Sequence, residues 1–191
     1  MVKAMDLQVV FDKAKVMYLE IVNDITKMAL AMEELAKRTG NEFKPQITIM
    51  KLDLVLQYSL LQVACSDYDL AQNEIVFIKN LTKFADYCDY VSSVANKSLS
   101  WSDLLGSDIT AVRSLLRTTD EDMCELSKEV VAVFSLYDKA TEYDYFTDLK
   151  NNVCGIIASL SIMDGDATSE DYNQDILIFS CLDAIEKILK S

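Results

Sequence analysis

Only one proline and four glycines occur in the 191 residues, and this scarcity of chain-turning residues constrains the fold more than any other feature. Sheets and irregular structure need frequent Gly and Pro turns, whereas long helices need few. The legible breaks fall near Gly40 to Pro45, Ser66 to Asp69, Asn96 to Ser107, Thr118 to Asp120, Thr141 to Asp144 and Asp164 to Ser169. Between them apolar residues recur at helical spacing, so the expected fold is all-α: one domain, a compact bundle of about seven to eight helices. Its parts would be a long N-terminal amphipathic helix over 1–40, a first helical hairpin over 45–95, connecting helices over 100–141 and a second hairpin over 144–191.

The first helix places Leu7, Phe11, Ala14, Tyr18, Ile21, Ile25, Met28, Met32 and Leu35 at alternating steps of four and three. Such a heptad stripe packs across the rest of the domain or dimerises with a second copy. Ala14 and Tyr18 stand where a strong two-stranded zipper prefers Leu or a β-branched residue, which argues against a free coiled coil. Ile47 to Cys65 and Asn73 to Val94 read as the helices of the first hairpin, the second turning Ile75, Ile78, Leu81, Phe84 and Cys88 inward. Ser100 with Asp103 caps a start at Trp101, read as an interhelix packing residue. Ser107 opens another short helix, and Thr119 with Asp122 caps the helix from Glu121 to Lys139. The second hairpin would run from Tyr145 to Met163 and from Ser169 to Lys190.

Composition narrows the function. With no histidine, the usual general base, the Ser-His and Cys-His nucleophile pairs and the commonest zinc ligand are all absent. No Gly-rich phosphate loop or cofactor fingerprint is present, so the chain does not read as an enzyme. Its net charge of −13 repels nucleic-acid phosphates and attracts cations or basic protein surfaces. Residues 1–45 hold seven acids and seven bases, so the whole excess lies in residues 46–191. The stretch 120–148 carries nine acids against Lys128 and Lys139, as a solvated acidic face would. The five cysteines, Cys65, Cys88, Cys124, Cys154 and Cys181, include no C-x-x-C pair and read as buried thiols of a reducing cytoplasm. The first residues reach Asp12 and Lys13 without an apolar run, so no signal peptide is expected. The longest uncharged apolar run, Val153 to Met163, is about two-thirds of the shortest spanning helix, so it reads as a buried core helix rather than a membrane span.

Two acidic turns carry most of the functional information. Asp67-Tyr68-Asp69-Leu70-Ala71-Gln72-Asn73-Glu74 and Asp164-Gly165-Asp166-Ala167-Thr168-Ser169-Glu170-Asp171 share D-x-D-x4-[E/D] at a shift of 97 positions. Each follows an uncharged helical stretch, Leu54 to Ser66 or Val153 to Met163, and precedes an amphipathic helix, with Ile75, Ile78, Leu81 and Phe84 answered after one extra turn by Ile176, Phe179, Leu182 and Ile185. The hairpin therefore looks duplicated. Helix capping explains part of the pattern, and Thr168 with Asp171 fits a capping box. Ala71 has no capping side chain, so Glu74 is less well explained. Asp67 and Asp164 each follow a helix C-terminus, where the macrodipole disfavours a carboxylate unless a cation is present. Free carbonyls there, with Asp67, Asp69 and Glu74 in one turn and Asp164, Asp166 and Asp171 in the other, would supply the all-oxygen shell that Ca²⁺ or Mg²⁺ takes. Capping and cation binding both stay open on the sequence.

The stretch Ile156-Ile157-Ala158-Ser159-Leu160-Ser161-Ile162-Met163 with the turn Asp164 to Asp171, and more loosely Leu60 to Glu74, resembles the tellurite-resistance TerB-like proteins. The resemblance implies an all-α, pseudo-symmetric cytoplasmic domain with an acidic cation site between its halves and stress-linked protein partners rather than catalysis. Position by position it carries the acidic pair to Asp67 and Asp164, the second carboxylates to Asp69 and Asp166, and the helix-start acids to Glu74 and Asp171. Tyr68 stands in place of the family's glycine and Ala71 in place of its Ser or Thr, and about half the chain lies outside the match. Two expectations result: a TerB-like module with a divalent-cation site, or a metal-free helical interaction scaffold, dimerising through its N-terminal helix.

Overall fold

The computed structural model describes residues 7–39, 44–66, 69–96 and 98–163, and among them the chain forms eight helices and no strand. They are α1 (Leu7–Thr39), α2 (Pro45–Ala64), α3 (Gln72–Leu81), α4 (Tyr87–Ala95), α5 (Trp101–Leu105), α6 (Ile109–Thr118), α7 (Asp120–Thr141) and α8 (Tyr145–Met163). The fold is an all-α bundle. The second helix of the second hairpin lies outside the described residues.

Most starts follow local chemistry. Pro45 opens α2 at a position where its missing N–H costs nothing. Asp86 accepts from the N–H groups of Cys88 and Asp89 to cap α4, and Asp108, rather than Ser107, accepts from Thr110 to cap α6. Asp103 accepts from the Ser100 N–H at 2.8 Å in the expected box at the head of α5. The cap expected from Thr119 does not form. Its hydroxyl is buried, bonded to Leu116 O at 3.0 Å and paired with Tyr87 Oη at 2.6 Å.

From Leu7 to Met32 the stripe of α1 packs inside the chain. Ala14, Tyr18, Ile21, Ile25 and Met28 are buried, with Leu7, Phe11 and Met32 partly so, against a cluster to which all eight helices contribute. The residues that suit a zipper least have their own reasons to be there: Ala14 is fully buried, and Tyr18 carries a hydroxyl to a partner on α2. α2 is the core helix. By length and composition it is the described helix that could cross a membrane, yet 61% of that window is buried, in contact with α1, α3, α4, α6, α7 and α8. α7 lies antiparallel to α2, with Lys51 paired to Glu129 and Tyr58 bonded to Asp120. It then turns through residues 142–144 into α8, which contacts both α7 and α2.

One expected helix is two. Asn73 to Val94 breaks at residues 82–86 between α3 and α4, and Phe84, expected inside, is 42% exposed. The cause lies in α2, whose buried polar side chains hold the break. Of the cysteines expected to be buried, Cys65 and Cys88 are, Cys154 is half-buried, Cys124 is exposed and Cys181 lies outside the described residues.

Candidate functional site

Among the described residues of the first acidic turn, Asp69 and Glu74 bond to the chain's own backbone. Glu74, 5% exposed, turns its Oε2 back to accept the Ala71 N–H at 2.9 Å. That is the glutamate half of a capping box, which needs only a backbone donor, so the alanine at the N-cap does not matter. Capping thus accounts for Glu74, against the expectation from Ala71. Asp69 is exposed and accepts the Leu70 N–H at 2.8 Å. These two carboxylates serve the backbone of their own turn. At the end of α2, where free carbonyls were expected to await a cation, Arg113 of α6 is in place. Its Nε donates to Cys65 O at 3.0 Å, and its Nη2 donates to Cys65 O and to Ser66 O, the latter at 3.1 Å. The macrodipole thus meets a positive charge at this helix end. Asp67, Asp164, Asp166 and Asp171 lie outside the described residues. Among the described residues no group of three or more Asp, Glu, Cys or His is arranged to hold a metal ion.

A second polar assembly is buried, and the sequence reading missed it. Asp53, fully buried in α2, accepts Tyr18 Oη at 2.9 Å and the N–H groups of Lys83, Phe84 and Ala85 at 3.2, 2.7 and 3.1 Å. One turn on, Gln57 donates to Thr82 Oγ1 and Ala85 O and accepts the Tyr87 N–H at 2.6 Å. Lys15 of α1 donates to the carbonyls of Asn80 and Leu81, closing the end of α3. The N–H groups of Lys83, Phe84, Ala85 and Tyr87 and the carbonyls of Asn80, Leu81 and Ala85 thus find side-chain partners at the break. Burial raises the Asp53 carboxyl above its ordinary range, opposed by the bonds from Phe84, Tyr18, Ala85 and Lys83. The readable signal was Asp53, the one acid of α2, with Gln57 four residues on, one helical turn away on the same face.

Tyrosine often does what a base does elsewhere. Besides Tyr18 with Asp53, Tyr58 donates to Asp120, Tyr90 to Asp122 at 2.8 Å and Tyr143 to Asp148 at 3.1 Å, while Trp101 Nε1 donates to Asp86 at 2.7 Å. In a chain with 31 acids and 18 bases, phenolic hydroxyls satisfy carboxylates without neutralising them. Burial pushes Tyr87 and Tyr90 up to about 12.

The third assembly is open. α1 and α8 meet closely at Gly155, where a Cβ would overlap the sulfur of Met17. Beyond this crossing the facing side chains become polar and enclose a cleft of about 380 Å³. Its walls carry three carboxylates, Glu20, Asp24 and Asp148, and three amides, Asn23, Asn151 and Asn152. Lys27 also lines it, held on Asp24 at 3.0 Å, which raises the lysine above its usual range. Glu20 and the three amides have no hydrogen-bond partner among the described residues. Tyr143, 53% exposed, stands beside Asp148 with its ring 4.1 Å from that of Tyr145.

In comparison with known proteins, the chain matches no family model, no curated protein and no solved structure. Its function must be argued from its own residues.

Proposed function

We propose that this chain is a non-catalytic, metal-free helical interaction module that serves basic protein partners. The observation that carries the reading is Arg113. At the end of α2, where a cation was expected, a guanidinium from α6 bonds the carbonyls, and the helix-start acid Glu74 caps α3, both of which support a reading without a metal. With those tasks filled internally, the negative charge is left for the surface. Along α7, Glu121, Asp122, Glu125 and Glu129 are exposed, of which Glu125 is paired with Lys128 and Glu129 with Lys51. Such a surface steers and orients positively charged partners more than it binds them tightly.

The competing reading is the TerB-like one, a divalent cation held between the two acidic turns, and a thermal melt separates the two. A ligand at 100 times its dissociation constant stabilises by about 2.7 kcal/mol, which for a chain of this size raises Tm by roughly 5–11 °C. The expected result is the same Tm in chelator, millimolar Ca²⁺ and millimolar Mg²⁺. A rise of that order with either ion, lost in an Asp164→Asn/Asp166→Asn double variant, would overturn the metal-free reading.

A further inference from the structure

With its inner stripe packed in the core, α1 carries a second stripe on its opposite face. We propose that this outer stripe pairs with the same stripe of a second copy of the chain, turned end over end, in a two-fold dimer. The inference goes beyond the interaction-module reading and does not depend on it.

Val9, Asp12, Val16, Leu19, Asn23 and Thr26 recur at alternating steps of three and four, the spacing of a coiled-coil seam, and all six are exposed. Val9, Val16 and Leu19 are 48, 56 and 49% exposed. Each stands nine positions before a buried residue of the inner stripe, Tyr18, Ile25 or Met28. At 3.6 residues per turn that is two and a half turns, so the two stripes face opposite ways. Single exposed apolar residues are ordinary, but three in register along one helix face make a seam.

Self-complementarity selects a second copy as the occupant. Turning the partner about the midpoint of Val16 and Leu19 sets Val16 of each copy against Leu19 of the other, and the seam gains an apolar centre. The same turn sets Asp12 against Asn23, a carboxylate facing an amide donor, and brings Lys13 beside Glu20 along one flank. Asp12 already accepts from Gln8 Nε2 at 2.7 Å and has lone pairs to spare. Every pair occurs twice, as a two-fold interface requires. A parallel pairing would instead set Asp12 on Asp12, like charge on like. The net charge of −13 opposes self-association in general, but residues 1–45 hold seven acids and seven bases, so the copies meet through a charge-balanced part of each chain. At 1.5 Å per residue the seam runs about 26 Å. That is short for a permanent dimer, and a dissociation constant on the order of 10 µM is expected.

Sedimentation velocity on the full chain, over a concentration series at physiological salt, tests the proposal. The expected result is a monomer–dimer equilibrium. Val16→Ser with Leu19→Ser is expected to weaken it by about a hundred-fold or more. A control on α2, Ile47→Ser with Met50→Ser, removes apolar surface that is 46% exposed at each residue and is expected to change it by less than about two-fold. Lys13→Glu or Glu20→Lys alone opposes like charges and is expected to weaken the dimer about three- to ten-fold. Lys13→Glu with Glu20→Lys together should restore it to within about two-fold. This rescue is specific to the end-over-end pairing, and it decides the matter even if the serine variant fails to fold. A chain that stays monomeric to about 0.5 mM would overturn the proposal. A dimer that shows no rescue, or one lost in the α2 control instead, would overturn it as well.

Discussion

The two flanks of α1 offer the same kind of polar material to their neighbours and end in opposite states. On the flank toward α2 and α3, Lys15 and Tyr18 join Asp53 and Gln57 in a network whose donors and acceptors are spent on the backbone of residues 80–87. On the flank toward α8, Glu20 and Asn23 face Asn151 and Asn152 across a cleft and make no hydrogen bond among the described residues. A buried polar group must be satisfied or it costs stability, whereas an open one is satisfied by water and can exchange that water for a ligand. The polar groups of the closed flank are spent on the fold, and those of the open flank are not.

The sharpest way to break this comparison is Asp53→Asn. An asparagine amide turns a donor toward N–H groups that need an acceptor, leaving one or more of them unpaired in the interior. A loss of about 3 kcal/mol is expected, seen as a fall in Tm of roughly 6–12 °C. A variant that melts with the unmodified protein would show that the break at residues 82–86 holds itself.

Arg113→Met comes next. It removes a charged donor from two carbonyls at the end of α2 while keeping much of the stem, and about 2 kcal/mol should be lost. Rescue of that loss by millimolar Ca²⁺ or Mg²⁺ is the outcome that would return the first acidic turn to a divalent cation.

The same contrast explains what the sequence made legible. Scarce Gly and Pro with 3.6-residue spacing were enough for an all-α bundle, because those signals are local. The break inside Asn73 to Val94 was hidden because Ile75, Ile78, Leu81, Phe84 and Cys88 keep a continuous helical spacing through it. The acceptor that stabilises it, Asp53, comes from an earlier helix. Arg113 was equally invisible as a cap for α2, lying 48 residues beyond Cys65. Glu74 was within reach, since a box needs only the N-cap's backbone N–H, but the search for a capping side chain at Ala71 concealed it. The cleft was beyond reach, because Glu20 and Asp148 read singly as solvated charges.

The pH dependence sharpens the comparison further. Burial holds the Asp53 carboxyl above its ordinary value of 3.8, so the folded chain takes up this proton before the unfolded one. Its contribution to stability is full below 3.8 and is lost as pH rises through the raised value. The exposed caps Asp103 and Asp108 are held low by their bonds to Ser100 and Thr110. Their contributions are present above the ordinary value and are lost as pH falls through the depressed one. The stability gap between the unmodified chain and Asp53→Asn should therefore widen as pH falls from 7 toward 4. A gap that narrows would mean that the four bonds to Asp53 outweigh its burial.

The smallest expected effect is on the open flank. Asn152→Ala removes an amide that bonds to nothing among the described residues, so its loss exchanges water for water and should change stability by less than about 0.5 kcal/mol. Gln57→Ala removes an amide of the same chemistry from the closed flank, strands the Tyr87 N–H in the interior and should cost about 2 kcal/mol. Chemical denaturation of the two variants side by side measures the difference directly. If Asn152→Ala costs as much as Gln57→Ala, the cleft is a structural joint between α1 and α8 rather than an open polar surface.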